Sequence, residues 1–196
     1  MNNKLSSRQS EIINTAIKLI GEGGIQALTI KNISSEIGIA ESALYRHFKS
    51  KIEVLSTLLD FLGVIIISHY ENVDKLKISP FEKIEKMILG QLKIFAENPP
   101  YAIVILSDGL YKNEKLLYDK IFKIMESAKS TFIKIIDEGK STREIRKDIT
   151  SEQIAFVIMG SVRLTVNQWS LSGFSFDLKE RGNILIKTLE TLIQTS

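Results

Sequence analysis

The stretch "TIKNISSEIGIAESALYRHFKSK", from Thr29 to Lys51, decides how the first quarter of this 196-residue chain folds. Isoleucines recur at helical spacing in its first half, and Gly38 stands where a left-handed residue ends a helix. Only "IGIA" separates that helix from the next, in which Leu44 and Phe48 form an inward-facing pair. Two short helices joined by a glycine-containing turn are typical of a helix-turn-helix, whose second helix enters the DNA major groove.

The outer side of this second helix is polar, and the first quarter of the chain is basic. The inward-facing pair leaves five side chains on the outside, namely Glu41, Ser42, Tyr45, Arg46 and Lys49. Residues 1–51 hold seven Lys/Arg against four Glu, whereas the other residues hold equal numbers of basic and acidic side chains. This asymmetry indicates a polyanionic partner for the first quarter alone.

Capping signals and hydrophobic periodicity predict nine helices and no strand of useful length. Three short helices lead into a long fourth helix, which runs to about Val73. The seventh helix is expected from Lys115 to about Asp137, with Gly139 as its end. Helix starts are marked by Ser6 with Gln9, Thr29, Ser50 with Glu53, Ser79 with Glu82, Asn98, Asn113, Thr150 with Gln153, and Asp177.

The composition excludes several kinds of chemistry. Without cysteine, the chain has no disulfide, no thiolate metal site and no cysteine nucleophile. Two isolated histidines give no metal site, and the sequence has no phosphate-binding glycine loop or serine elbow, so we expect no cofactor and no enzyme activity. The longest apolar run, "FLGVIII", is far shorter than the ~20 residues of a membrane helix. These features predict a cytoplasmic protein.

The stretch from Thr29 to Leu55, and above all "LYRHFKSK" from Leu44 to Lys51, resembles the TetR/AcrR family of transcriptional regulators. The resemblance covers about 45 residues, from the first helix to the start of the fourth. It implies an all-α, nine-helix TetR-like fold: a helix-turn-helix head over residues 1–50, and a ligand-binding and dimerisation domain over residues 51–196. It also implies a homodimer, a palindromic double-stranded DNA operator and a small-molecule effector.

The predicted DNA contacts combine this resemblance with the chemistry of the side chains. Tyr45 and His47 offer a hydroxyl and an imidazole to phosphates or a base edge, and Lys51 lies at the helix N-terminus, which favours a phosphate. Thr29 both caps the second helix and, as at the equivalent position in the family, donates to a phosphate. The full predicted set is Thr29, Lys31, Glu41, Ser42, Ala43, Tyr45, Arg46, His47, Lys49 and Lys51.

One residue departs from the family pattern at the start of the recognition helix. The family usually has serine or threonine where this chain has Ala40, so the side-chain cap is lost or moved, a change that typically costs ~1 kcal/mol. Glu41 then occupies the leading turn. A glutamate there repels phosphates and accepts only from a donor such as cytosine N4. We therefore expect Glu41 to tune base preference rather than to abolish DNA binding.

The last two predicted helices fit the dimer contact that the resemblance implies. The eighth is apolar almost all round from Ile154 to Val162, which predicts burial on every side, against its own domain and a twin subunit. The alternative is a terminal hairpin packed within a monomer. The predicted dimer residues are Val157, Gly160, Ser161, Leu164, Leu178, Leu185, Leu189 and Leu192.

The resemblance also implies an effector cavity enclosed by the fourth to seventh helices, whose ligand changes the separation of the two recognition helices through the fourth helix. Most candidate lining residues are apolar, which favours a mostly apolar ligand, although such residues are usually core. Arg163 is either an ion-pair or interface residue or the partner of an anionic ligand group. The candidates are Phe61, Ile65, His69, Met87, Phe95, Tyr111, Tyr118, Phe122, Met125, Arg163 and Trp169.

The sequence therefore predicts a ligand-responsive transcriptional regulator, with repression as the expected outcome. An alternative keeps the DNA-binding head but makes the C-terminal bundle a docking platform for a protein partner. A helical-bundle enzyme is the third possibility, and it lacks an acid and base pair at suitable spacing.

Overall fold

A computed structural model describes residues 5–111 and 114–195, and within these ranges the chain is helical apart from its loops. The one β-type pairing there is an isolated bridge between Ile145 and Gln194. The predicted all-α fold is therefore confirmed. The helices are α1 (Ser7–Ala27), α2 (Ile30–Ile37), α3 (Glu41–Leu44), α4 (Lys51–Asp74), α5 (Pro80–Glu97), α6 (Pro99–Ile105), α7 (Asp108–Tyr111), α8 (Lys115–Thr142), α9 (Ser151–Leu171) and α10 (Leu178–Ile193).

The nine predicted helices are present in the described residues, and the four-residue α7 is an addition to them. The end predicted for α8 is wrong, because the helix continues through Gly139 to Thr142. Gly139 instead allows a close packing contact, since a Cβ added there would lie 2.6 Å from the side chain of Ile145. The predicted cap Asn113 lies outside the described residues. Capping boxes form as predicted at Ser6, Ser79 and Thr150.

The described residues divide into two compact units. Unit 1 comprises residues 5–62 and 99–121, except 112–113, and unit 2 comprises residues 63–98 and 122–195. In unit 1, α6 packs on α1 so closely that a Cβ added to Gly21 would lie 2.9 Å from Pro100. In unit 2, α10 packs on both α5 and α9, and Tyr70 of α4 makes an edge contact with Phe132 of α8.

Helix α4 requires a correction to the expectation that no segment is long enough to cross a membrane. Its 24 residues contain a window of mean hydropathy 1.8, so α4 meets that criterion by length and composition alone. A core helix meets the same criterion. Leu55, Leu58 and Leu59 are completely buried in unit 1, and Ile66 and Tyr70 are buried in unit 2. This burial indicates that the apolar residues of α4 serve the core.

Candidate functional site

The turn between α2 and α3 is built as the sequence predicts. The Thr29 hydroxyl accepts a hydrogen bond from the Asn32 amide at 3.0 Å and so caps α2. Gly38 ends α2 with φ 77° and ψ 35°, a left-handed conformation that costs glycine little. The amides of Gly38 and Ile39 both donate to the Ser34 carbonyl oxygen at 3.0 Å. The turn is therefore fixed by backbone bonds, and these set the direction of α3.

Two apolar side chains near α3 are buried in the head: Leu44, the last residue of α3, and Phe48, four residues further on. Leu44 is 0% exposed and Phe48 is 2% exposed, as the helical spacing predicts. Ile33 of α2 and four apolar residues of α1, both in unit 1, are buried as well. The buried α1 residues are Ile12, Ile13, Ala16 and Ile20.

The outer side of α3 and the following turn presents polar side chains to solvent. We call Glu41, Ser42, Tyr45, Arg46 and Lys49 the recognition edge; all five are exposed, and Tyr45 is 48% exposed. Other members of the predicted DNA-binding set lie nearby in the sequence. Lys31 is also exposed, whereas Thr29, Ala43, His47 and Lys51 are half-buried.

Two predicted DNA contacts carry a structural role as well. The Thr29 hydroxyl caps α2, and its proton remains available for a further donation. The Lys51 ammonium donates to the Ile25 carbonyl oxygen at 3.2 Å, and partial burial lowers the pKa of Lys51. That bond uses one of three N–H donors, so the ammonium can still contact an anion. Lys51 thus ties the start of α4 to the C-terminal turn of α1.

The recognition helix starts without a side-chain cap. Ala40 has extended backbone at the N-cap position, and its methyl group makes no hydrogen bond. Glu41, the first residue of α3, occupies the acidic first turn. The loss of the usual cap, which the sequence predicts, is therefore confirmed.

The residues predicted to line an effector site belong to both units and differ in burial. Phe61, Tyr111 and Tyr118 lie in unit 1, and the other eight lie in unit 2. Met87, Phe95, Tyr111 and Trp169 are buried, Ile65, His69 and Arg163 are half-buried, and Phe61, Tyr118, Phe122 and Met125 are exposed in the single chain.

Within unit 2, the structure brings His69 and Met87 together. The His69 Nε2 atom lies 3.2 Å from the Lys86 carbonyl oxygen and 3.3 Å from that of Met87, which requires a proton on Nε2. A Cβ added to Gly90 would lie 2.2 Å from the His69 ring. The buried Trp169 is instead packed against Phe174, with ring centroids 4.6 Å apart.

One partly buried polar pair in unit 2 was not predicted from the sequence. The Tyr70 hydroxyl donates to Oε1 of Gln91, and the Tyr70 ring lies against Phe132 with centroids 5.4 Å apart. Burial raises the pKa of the Tyr70 phenol. The sequence gives no signal for this pair, because neither residue belongs to a motif.

The predicted dimer face needs a correction in its membership. Leu178 is 2% exposed and Leu189 is 1% exposed, because both pack inside unit 2 and so cannot lie on its surface. Val157, Gly160, Leu164 and Leu192 are exposed, and Ser161 and Leu185 are half-buried. Phe156 and Ile184 are two further exposed apolar residues of these helices, and neither is in the predicted set. Phe156 lies within the apolar stretch of α9, but the sequence alone does not show that its side chain is exposed.

An open groove of about 710 Å³ lies beside the exposed side of α9 in unit 2. Phe156, which is 77% exposed, lies at this groove together with Val157 and the side chain of Lys129. The other lining residues are Ile149, Glu152 and Gln153.

Comparison with known proteins gives family matches to both parts of the chain. Residues 12–58 match "Bacterial regulatory proteins, tetR family", and residues 58–193 match "YsiA-like protein, C-terminal region". The chain is 26% identical over 180 residues to the nucleoid occlusion factor SlmA of Vibrio vulnificus, covering 90% of this chain and 91% of that protein.

Two further similarities concern regulators of fatty acid metabolism. The chain is 25% identical over 179 residues to the fatty acid metabolism regulator protein of Bacillus subtilis, covering 91% of this chain and 92% of that protein. The crystal structure of the transcriptional regulator FadR from Bacillus subtilis in complex with stearoyl-CoA superposes with a TM-score of 0.81 at 25% identity, covering 92% and 96% of the two chains. The chain therefore belongs to the tetR family of bacterial regulatory proteins and is a helix-turn-helix, DNA-binding transcriptional regulator.

Proposed function

We propose that the protein is a homodimeric, cytoplasmic repressor that leaves a palindromic operator when a small, mostly apolar effector binds. The observation that carries this proposal is the recognition edge, with its exposed Tyr45, Arg46 and Lys49 supported from inside by the buried Leu44 and Phe48. We assign DNA binding to residues 1–50, and effector binding and dimerisation to residues 51–196, as predicted from the sequence.

DNA binding rests on cationic and hydroxyl groups around α3. Lys31, Arg46, Lys49 and Lys51 supply charge for phosphates, and each neutralised phosphate releases counterions, which makes affinity strongly salt-dependent. Tyr45 and His47 add hydrogen bonds to phosphates or base edges. Thr29, Ser42 and Ala43 complete the surface that approaches the duplex.

Dimerisation places two recognition helices about one DNA turn apart, ~34–36 Å. The exposed apolar residues of α9 and α10 supply the contact, because a patch of this kind on a single chain marks an interaction surface. Gly160 allows a close helix approach, since no atom lies within 4 Å of a Cβ added there. The proposed face comprises Phe156, Val157, Gly160, Ser161, Leu164, Ile184, Leu185 and Leu192.

The effector class that we propose is narrower than an apolar ligand in general: it is a long-chain acyl-CoA thioester, whose acyl chain suits the apolar candidate lining and whose coenzyme A part is polar and anionic. Support comes from the similarity to a FadR that was crystallised with stearoyl-CoA and from the largely apolar candidate lining. The effector favours a conformation in which the recognition helices no longer match successive grooves, and its power to do so equals its difference in affinity for the two states. Operator DNA must therefore weaken effector binding by the same factor.

The DNA-binding part is tested by gel shift on a palindrome from the gene's own upstream region. Tyr45→Ala and Lys49→Ala should each weaken binding about tenfold, a typical loss of ~1.4 kcal/mol. For the lysine variant, the slope of log affinity against log salt concentration should also become smaller in magnitude by about 0.9 for each lost phosphate contact. Lys75→Ala removes an exposed lysine from unit 2 and is the matched control. Wild-type affinity in both head variants would contradict the proposed site.

The effector part is tested by adding stearoyl-CoA to the operator complex, with free coenzyme A and stearate as controls. Release by stearoyl-CoA alone is the expected result.

A second candidate function, docking of a protein partner on the C-terminal bundle, is favoured by the similarity to SlmA, which is named a nucleoid occlusion factor. Tight operator binding that no acyl-CoA of any chain length affects would support this second candidate. In either case the relatives are regulators, so we infer that the protein is not an enzyme.

A further inference from the structure

The carboxylates of the head differ in how they are used. Residues 5–53 contain five glutamates, and four of them are engaged by a cation or by a backbone amide. The four are Glu11 with Arg8 at 2.6 Å, Glu22 with Lys18 at 3.9 Å, Glu36 with the same lysine, and Glu53 with the Lys49 amide at 2.6 Å. The Glu41 side chain is exposed, and its carboxylate makes no hydrogen bond or ion pair with any described residue.

The sequence of α3 explains why no cation neutralises Glu41. A side chain on a helix meets those three and four positions further on, and here these are Leu44 and Tyr45. Leu44 is buried, whereas Tyr45 lies on the recognition edge. Glu41 and Tyr45 therefore share one side of α3, and that side is the one proposed to approach DNA.

A free carboxylate on this side is repelled by phosphates, so the favourable DNA contact that it can make is with the donor group of a base. The first turn of a recognition helix is the part that reaches base edges in the major groove. A carboxylate only accepts hydrogen bonds, and the base donors in that groove are cytosine N4 and adenine N6. The adenine amino group lies beside the acceptor N7, which repels a carboxylate. Cytosine is therefore the better partner.

We propose that Glu41 is a specificity-determining residue that selects a C·G pair at one position of each half-site by accepting from cytosine N4. The proposal rests on the DNA-binding function proposed above. The Glu41 charge also weakens binding to non-specific DNA, because it repels the phosphates of any sequence. Glu41 thus exchanges general affinity for discrimination.

The test is selection from a pool of random duplexes by the full-length protein, followed by measured affinities for the selected site. Glu41→Gln is the informative variant, because glutamine pairs with adenine N6 and N7 rather than with cytosine. The expected wild-type consensus contains C·G at a symmetric pair of positions, and Glu41→Gln changes those positions alone to A·T. Discrimination there should fall by about tenfold in each half-site, within the range of a single base contact.

A matched control removes the same charge elsewhere. Glu71→Gln lies on α4 in unit 2, is exposed, and should reproduce the wild-type consensus. Glu41→Gln should also bind unrelated DNA more tightly than this control at low salt. An unchanged consensus in Glu41→Gln, or a change at a position that was not C·G, overturns the inference and leaves the proposed function standing. A wild-type protein that selects no sequence overturns both.

Discussion

The Ser34 hydroxyl is buried in the three-helix head and lacks a hydrogen-bond partner; among the described residues it is the one such side-chain atom. A buried polar group without a partner costs about 1–3 kcal/mol, because the protein does not replace its bonds to water. The next residue, Ser35, is exposed on the same helix. This pair allows the cost of burial to be separated from helix propensity.

We expect Ser34→Ala to stabilise the protein by about 1–2 kcal/mol, because it removes the unpaired hydroxyl and adds a better helix former. Ser35→Ala should gain only the propensity term, about 0.5 kcal/mol. Urea unfolding followed by circular dichroism gives both values. Equal gains in the two variants would show that the Ser34 hydroxyl is satisfied by water or by rearrangement.

The sequence predicts single residues well where spacing alone decides their environment. Leu44 and Phe48 are inside and Tyr45 and Arg46 are outside, as a helical period requires. It does not predict the bond from Lys51 to the Ile25 carbonyl, because that contact joins distant residues through a long, flexible side chain. The burial and exposure of these side chains could therefore be predicted from the sequence, but not their hydrogen-bond partners.

The helices show the same limit. Local capping boxes predicted where α1, α5 and α9 begin, because the interaction lies within four residues. The predicted end of α8 was wrong because Gly139 is a packing contact for Ile145. Ile145 belongs to the loop that follows α8 and packs back on the helix. Glycine as a helix stop and glycine as a packing contact are identical in sequence.

A contact between α4 and α5 tests this second use of glycine. The His69 ring lies over Gly90, where a Cβ would come within 2.2 Å of two ring atoms. We expect Gly90→Ala to destabilise the protein by about 1–3 kcal/mol, since overpacking displaces the ring from its carbonyl partners. The ~0.5–1 kcal/mol that alanine gains over glycine in a helix offsets only part of this overpacking cost.

The double variant His69→Ala/Gly90→Ala is the control for that prediction. It should recover most of the stability lost in Gly90→Ala, giving a coupling energy of about 1–3 kcal/mol between the two positions in urea unfolding. Strictly additive losses would mean that the ring moves aside without cost. In that case His69 is free to serve an effector site.

For the whole molecule, a second subunit was predicted to contact the last two helices, because the family resemblance implies such a contact and one of these helices is apolar almost all round. The predicted leucines differ in burial: Leu178 and Leu189 are buried in unit 2, whereas Leu164 and Leu192 are exposed. Periodicity assigns a leucine to a side of its helix but does not tell whether that side meets its own unit or another chain. Which of these leucines are exposed could therefore not be predicted from the sequence.

The exposed face predicts the behaviour of Leu164→Glu. If α9 packs against its twin, the charge becomes buried, and dimerisation should weaken by at least ~3 kcal/mol, more than 100-fold. Light scattering at micromolar concentration should then show a monomer. Circular dichroism should show an unchanged helical content. Operator affinity should fall with dimerisation, because one head reads only half of a palindrome. Leu76→Glu is the matched control, an exposed leucine after α4 in unit 2. A monomer from both variants would point to general instability, and a dimer from Leu164→Glu would place the subunit contact on another surface.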